Sequence, residues 1–214
     1  EENADKEAVT VQMVNTLSAA RLNRTLYQYT GSAENADKNL KALQQIIELA
    51  NSLDTFSWSE AGRAKIESLQ QQADTYMTQR SAFVSSIKRR NELTAALRSA
   101  KIEDVAQQAA SLSAGDSITP ESAVVAVRLE ARLQQSALLI EELIDSGSAD
   151  TAARLSTALQ QSAEYGKALA GQGGELASLN AVLTTELASL QGNINQFVTA
   201  FADQATQSKT LTGT

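Results

Sequence analysis

Cysteine and histidine are absent from the 214-residue chain, and proline occurs once. Without thiols or imidazoles there is no zinc site of the usual ligand set, no disulfide framework, no thiol nucleophile and no histidine general base. Aromatic residues are few: four Phe, four Tyr and one Trp. Strand-rich folds favour aromatic and β-branched residues and need frequent turns, which argues against an all-β sandwich. Basic side chains are outnumbered, 18 against 25, for a formal charge of −7. A nucleic-acid binder needs a basic face that releases counterions, so no nucleic-acid partner is expected. No run approaches the ~18 consecutive apolar residues of a membrane span. The opening Glu1-Glu2-Asn3 carries neither methionine nor a signal-like apolar stretch. That reads as a piece of a longer or processed protein and leaves membrane helices beyond either end open. What is present, 43% hydrophobic and 20% charged residues, is an ordinary globular balance. An all-α protein that binds rather than catalyses is expected.

Breaks and caps divide the chain into six helices. The first runs from about Ala4 to Thr30 and stops at Gly31-Ser32; the second covers about Ala33 to Leu53. Ser57 and Glu60 are spaced as a capping box for a very long third helix, about Trp58 to Leu112, with a weak point near Ser99 to Lys101. Thr119-Pro120 restarts the chain as N-cap and first-turn proline. The fourth helix then runs to about Asp145, the fifth from about Ala149 to Ala170, and the sixth from about Glu175 into the Thr-rich tail. Gly171-Gln172-Gly173-Gly174 resembles a phosphate loop only superficially. It lacks the preceding strand and the Lys-Ser/Thr, so it is a helix–helix turn.

An internal repeat runs through this plan. Gly31-Ser32-Ala33-Glu34-Asn35-Ala36 and Ala42-Leu43-Gln44-Gln45 match Gly147-Ser148-Ala149-Asp150-Thr151-Ala152 and Ala158-Leu159-Gln160-Gln161 at a constant offset of 116. The chain is thus two copies of short helix, short helix, long helix. At 1.5 Å per residue the first two helices laid end to end reach roughly 70 Å and the third roughly 80 Å. That length match predicts two stacked four-helix bundles within one domain, 1–214, with the third and sixth helices shared by both. One module takes 1–31, 81–146 and 191–214; the other takes 32–80 and 147–190.

Arginine interrupts the apolar lines. The sixth helix has a clean seam from Leu176 through Leu183 and Leu190 to Phe201, whereas the third carries Arg80 and Arg90 within its own. On the first helix Val14 and Leu17 are followed in step by Arg21 and Arg24, with Tyr27 beside them. A buried guanidinium costs several kcal/mol unless paired. Glu141, Glu142 or Glu186 can answer these arginines, or the helix can turn them to solvent. The alternative is a small anion held by Arg21 and Arg24 together with Lys88, Arg89 and Arg90 at the same height, where the sixth helix offers neutral Gln191, Asn193 and Asn195. Arg80 and Arg63 mark a second place to look. No spacing singles out a catalytic pair; no enzyme activity, metal or cofactor is expected.

Arg21-Leu22-Asn23-Arg24-Thr25-Leu26-Tyr27, an R-x-x-R-x-x-Y run followed by a short polar turn and a second helix, resembles the opening of the helical bimodular ligand-binding domain of bacterial methyl-accepting chemotaxis receptors. The six-helix plan is similar over essentially the whole chain. The resemblance implies a periplasmic sensor domain of an inner-membrane protein, flanked by transmembrane helices and homodimeric in the full-length receptor. It implies a small organic acid, of the C4 dicarboxylate or tricarboxylic-acid-cycle type, bound in the membrane-proximal module by Arg21 and Arg24 with Tyr27 nearby. The sequence departs from the family pattern in having no arginine after Arg154. A different class of function is a histidine-kinase sensor domain or helical scaffold that recognises a partner protein. The two differ in whether the seam arginines answer protein carboxylates. Polar, Gln-rich surfaces predict a monomer or weak dimer for the free domain.

Overall fold

Local signals set most helix ends. The computed structural model describes residues 1–213, among which there is no strand. The first helix, α1 (Glu2–Thr30), ends where Gly31 turns left-handed, φ 65°. The Gly31 N–H reaches the Tyr27 carbonyl at 2.8 Å, a C-cap geometry that glycine adopts without a Cβ penalty. The next helix, α2 (Ala33–Ser52), is followed by a 3-10 turn at Leu53–Thr55. Beyond it come α3 (Glu60–Arg98), α4 (Ile102–Ser113), α5 (Pro120–Ser146), α6 (Ala149–Ala170) and α7 (Gly174–Thr212). Thr119 caps α5 as expected, its hydroxyl accepting from the Ser122 N–H at 3.2 Å, with Pro120 in the first turn. Gly147 repeats Gly31, with φ 59° and its N–H on Leu143 at 2.7 Å.

Two boundaries differ from expectation. Ser59 rather than Ser57 caps α3, its hydroxyl accepting from the Gly62 N–H at 3.2 Å. Ser57 is engaged elsewhere: its N–H donates to Glu2 at 2.7 Å, and its carbonyl accepts from the Lys6 ammonium at 2.7 Å. Trp58 is pinned outside the helix by its indole N–H on the Leu53 carbonyl, 2.7 Å, and by Lys6 over its ring. The weak point in the long third helix is a real interruption at 99–101, so its predicted span becomes α3 and α4. The apolar pattern gives the reason. Ile102 follows Leu97 by five positions, about 140° around a continuous helix from it. Breaking the helix lets Ile102, Val105, Ala106 and Ala109 share a buried face.

The chain forms two compact units, Glu1–Ile87 with Thr206–Thr214, and Lys88–Ala205. Both long helices contribute to both units, α3 up to Ile87 in the first and α7 up to Ala205 in the second. The division differs from the expected modules, which separate the first two helices. In the structure α1 and α2 lie side by side in one unit, not end to end. The Asn39 side-chain amide donates to the Ala20 carbonyl at 2.7 Å, across the pair. Such close approach needs a small residue, and α1 turns Ala20 and Thr16 inward with Tyr27. Val14 and Leu17, expected in the core line, are 59% and 37% exposed.

The cores differ in kind. In the second unit one continuous apolar cluster runs from Leu93 and Leu97 through Leu129, Leu133, Leu143, Leu155 and Leu183 to Phe197. The first unit has two small clusters. Tyr27, Phe83, Ile87 and Leu211 form one; Ala20, Leu43 and Ile46 form the other.

Candidate functional site

A line of polar groups crosses the first unit between those clusters. Arg80 of α3 is 8% exposed. Its Nε donates to the Asn39 amide oxygen at 2.6 Å and its Nη2 to the Ala36 carbonyl at 2.7 Å. Asn39 passes the connection to Ala20, so one buried residue ties α1, α2 and α3 together. Burial lowers the Arg80 pKa, opposed by the phenols of Tyr27 and Tyr76 and by Asp37. One turn away on α3, the Tyr76 hydroxyl accepts from Arg24 Nη1 at 3.1 Å. The Arg24 Nε is buried without a hydrogen-bond partner, an unusual state for a guanidinium nitrogen and one that calls for an explanation.

Beneath this line lies a cavity of about 370 Å³ between α1, α2 and α3. Leu17, Leu43, Ile46, Leu69 and Ala73 make much of its wall, and Arg21 and Tyr76 also line it. Arg21 is exposed and makes no ion pair or side-chain hydrogen bond among the described residues. None of Arg21, Arg24 and Arg80 has a carboxylate within 4.0 Å among the described residues. In the second unit Arg90 and Arg132 donate to glutamines, and the Arg132 Nε is likewise buried without a partner, but two other arginines are paired. There Arg98 makes a two-pronged contact with Glu141 at 3.1 and 3.2 Å, and Arg154 pairs with Glu142 and Asp150. Glu186 accepts from the Lys101 N–H at 3.2 Å. The three glutamates that could have answered Arg21 and Arg24 are thus occupied within the second unit.

The repeat sharpens the contrast. At the offset of 116 the counterparts of Arg24, Tyr27 and Asn39 are Ile140, Leu143 and Leu155. All three are buried in the second unit's apolar core. The same scaffold therefore packs with hydrocarbon at these three positions, while the counterpart of Arg80 is the exposed Gln196.

The other expected site residues have different surroundings. Tyr27 is a core residue, its ring edge-on to Phe83 with centroids 6.4 Å apart, and burial raises its pKa. Lys88, Arg89, Arg90 and Asn195 belong to the second unit. Arg90 donates to Gln204 at 2.9 Å and stacks 4.4 Å from the Phe201 ring centre; burial lowers its pKa. Arg89 donates to Gln196 and lies 3.9 Å from Glu92. Lys88 and Asn195 are exposed. Amides of α7 do receive these basic groups, but they are Gln196 and Gln204 rather than Asn195. Asn39 and Tyr76 are the site residues that sequence reasoning did not single out. A deviation from the repeat, Asn39 against Leu155, was the available signal for the first.

A larger depression in the second unit, about 910 Å³, has Asp104 and Glu175 in its wall and no basic residue. It is electrostatically wrong for an acid. No helix among the described residues is long and apolar enough to cross a membrane, and none of their acidic side chains cluster as a metal site. No family model matches the chain, and no curated protein shows significant similarity to it.

Proposed function

We propose that the chain is the ligand-sensing domain of a bacterial receptor, of the helical bimodular type found in methyl-accepting chemotaxis proteins. It binds a small organic acid between helices of the first unit, through Arg21 and Arg24. The observation that carries this reading is the set of guanidiniums beside an interhelical cavity with no carboxylate answering them. Planar guanidinium forks match carboxylates, and a half-desolvated cation gains most from an anion brought to it. The R-x-x-R-x-x-Y run supports the family assignment. So does a hairpin followed by a long helix, used twice. In this reading the domain lies in the periplasm between transmembrane helices and works as a homodimer. Ligand entry biases the packing of α1 against α2 and α3, and the membrane helices read out that bias.

A thermal-shift screen of carboxylates, phosphates and amino acids tests the reading, since a ligand selective for the native state raises the melting temperature by mass action. Arg24→Ala should weaken the acid found by roughly two orders of magnitude, the usual scale for truncating a desolvated charged contact. Its melting temperature without ligand should hold, because Arg24 anchors no ion pair. Calorimetric titration of Arg21→Ala and Arg24→Ala beside the parent protein gives the comparison. A flat screen would instead favour a partner-protein module. One feature supports that second reading: Val11, Leu22, Leu26 and Tyr29 form an exposed apolar stripe along α1, the kind of face a helical partner covers.

A further inference from the structure

The resemblance points to short dicarboxylates, but the cavity has the wrong wall for them. Only one end carries positive charge. Arg21 lines the cavity beside Tyr76, and Arg24 bonds that tyrosine. From Arg21 the cavity follows α1 back to Thr10, roughly 16 Å at 1.5 Å per residue. Along that length the wall is chiefly hydrocarbon, with Leu17, Ile46, Leu69 and Ala73 on three helices and Leu53 in the turn after α2. Thr10 and Gln72 are the other polar lining residues, and both are uncharged. A second carboxylate here would meet no cation, and any hydration it lost against the hydrocarbon would go uncompensated. An apolar body gains on every group it buries. About 370 Å³ also falls within the range of pockets that enclose small organic ligands with apolar substance, not merely an anion.

We infer that the ligand is an amphipathic monocarboxylate, a linear or aryl-substituted alkanoic acid. Its carboxylate sits at Arg21 and Arg24 beside Tyr76, and its hydrocarbon lies along the slot toward Leu53 and Thr10. This rests on the proposed acid-binding role of the first unit and specifies its substrate class. The head group supplies orientation and the tail supplies affinity. Each methylene buried in the slot should tighten binding about fourfold, until the chain reaches the Thr10 end. Arg21 and Arg24 set the polarity of entry, because only the carboxylate end can remain by the guanidiniums.

The test is calorimetric titration of the whole domain with butyrate, hexanoate and octanoate below micellar concentrations, alongside succinate, malate and octanamide. Affinity should rise by about fourfold per methylene and exceed that for succinate by tenfold or more. Octanamide should bind at least tenfold more weakly than octanoate. Val14 of α1 and Ala73 of α3 both line the slot, so Ala73→Phe and Val14→Trp, which add bulk there, should each abolish octanoate binding; melting curves without ligand establish that the variants fold. Succinate or malate binding as tightly as octanoate would overturn the inference and leave the acid-sensing reading standing. Silence from every acid would remove both. Octanoate binding that is equalled by octanamide, or that survives in both slot-filling variants once they are shown to fold, would also overturn it.

Discussion

Asn39→Leu alone should destabilise the first unit by about 3–5 kcal/mol, the scale for leaving a buried charge without its compensating partner. The leucine is not out of place in shape, since Leu155 fills the corresponding position of the repeat and is fully buried. The cost comes from what it strands. Arg80 Nε loses its 2.6 Å acceptor and the Ala20 carbonyl loses its 2.7 Å donor, both in the interior. Removing the guanidinium as well should recover most of the loss, because a buried polar pair exchanged for hydrocarbon of similar volume is often neutral or stabilising. Urea unfolding of Asn39→Leu, Arg80→Met and the double variant closes the cycle, with a coupling of 0.5–3 kcal/mol typical of residues in one network. Additive losses would mean that the two residues act separately and that the three-helix tie is not energetically real.

Gly147→Ala should cost roughly 2–5 kcal/mol, from two sources that add. The residue sits at φ 59°, where an L-residue is strained. A methyl there would also lie far inside contact distance of two ring carbons of Phe201. That ring is hemmed in, with Phe197 6.0 Å away between centroids and the Arg90 guanidinium over its face. Gly31 is the control, for φ is 65° but nothing lies within 4 Å of the added carbon. Gly31→Ala should show only the backbone part, about 1–2 kcal/mol. Thermal melts of the two variants separate strain from crowding. Equal losses would show that Phe201 moves aside at no cost.

What could be read from the sequence was governed by range. Gly31, Gly147 and Thr119-Pro120 were legible because a cap is decided within a few residues, and the repeat made the first two mutually supporting. The cap on α3 was misplaced because Ser57 and Ser59 both precede the helix. The choice between them depends on Glu2 and Lys6 at the far end of α1. The inward face of α1 was misread for a packing reason. Hydrophobic periodicity picks out Val14 and Leu17, whereas Asn39 draws α2 close to α1 at Ala20, where small size matters more than apolarity. Arg21 and Arg24 stood out as charges in an apolar line. Their relation to Tyr76 and the slot beneath them required the fold, since α2 and α3 supply the rest of the wall.

The unequal cores imply unequal lifetimes for the closed state. Amide hydrogens of α5 and α6, sealed over one continuous apolar cluster, should exchange only through large-scale unfolding. Those of α1, α2 and the Glu60–Ile87 part of α3 rest on two small clusters joined by polar groups, and should exchange through cheaper local opening. The half that carries Arg21, Arg24 and Arg80 is therefore also the half whose order is most open to adjustment. A ligand selective for its closed form would slow exchange there by a factor of about 1 + [L]/Kd, while the second unit kept its own rate. Such a domain can report occupancy as a change in rigidity on one side, with little displacement of any helix.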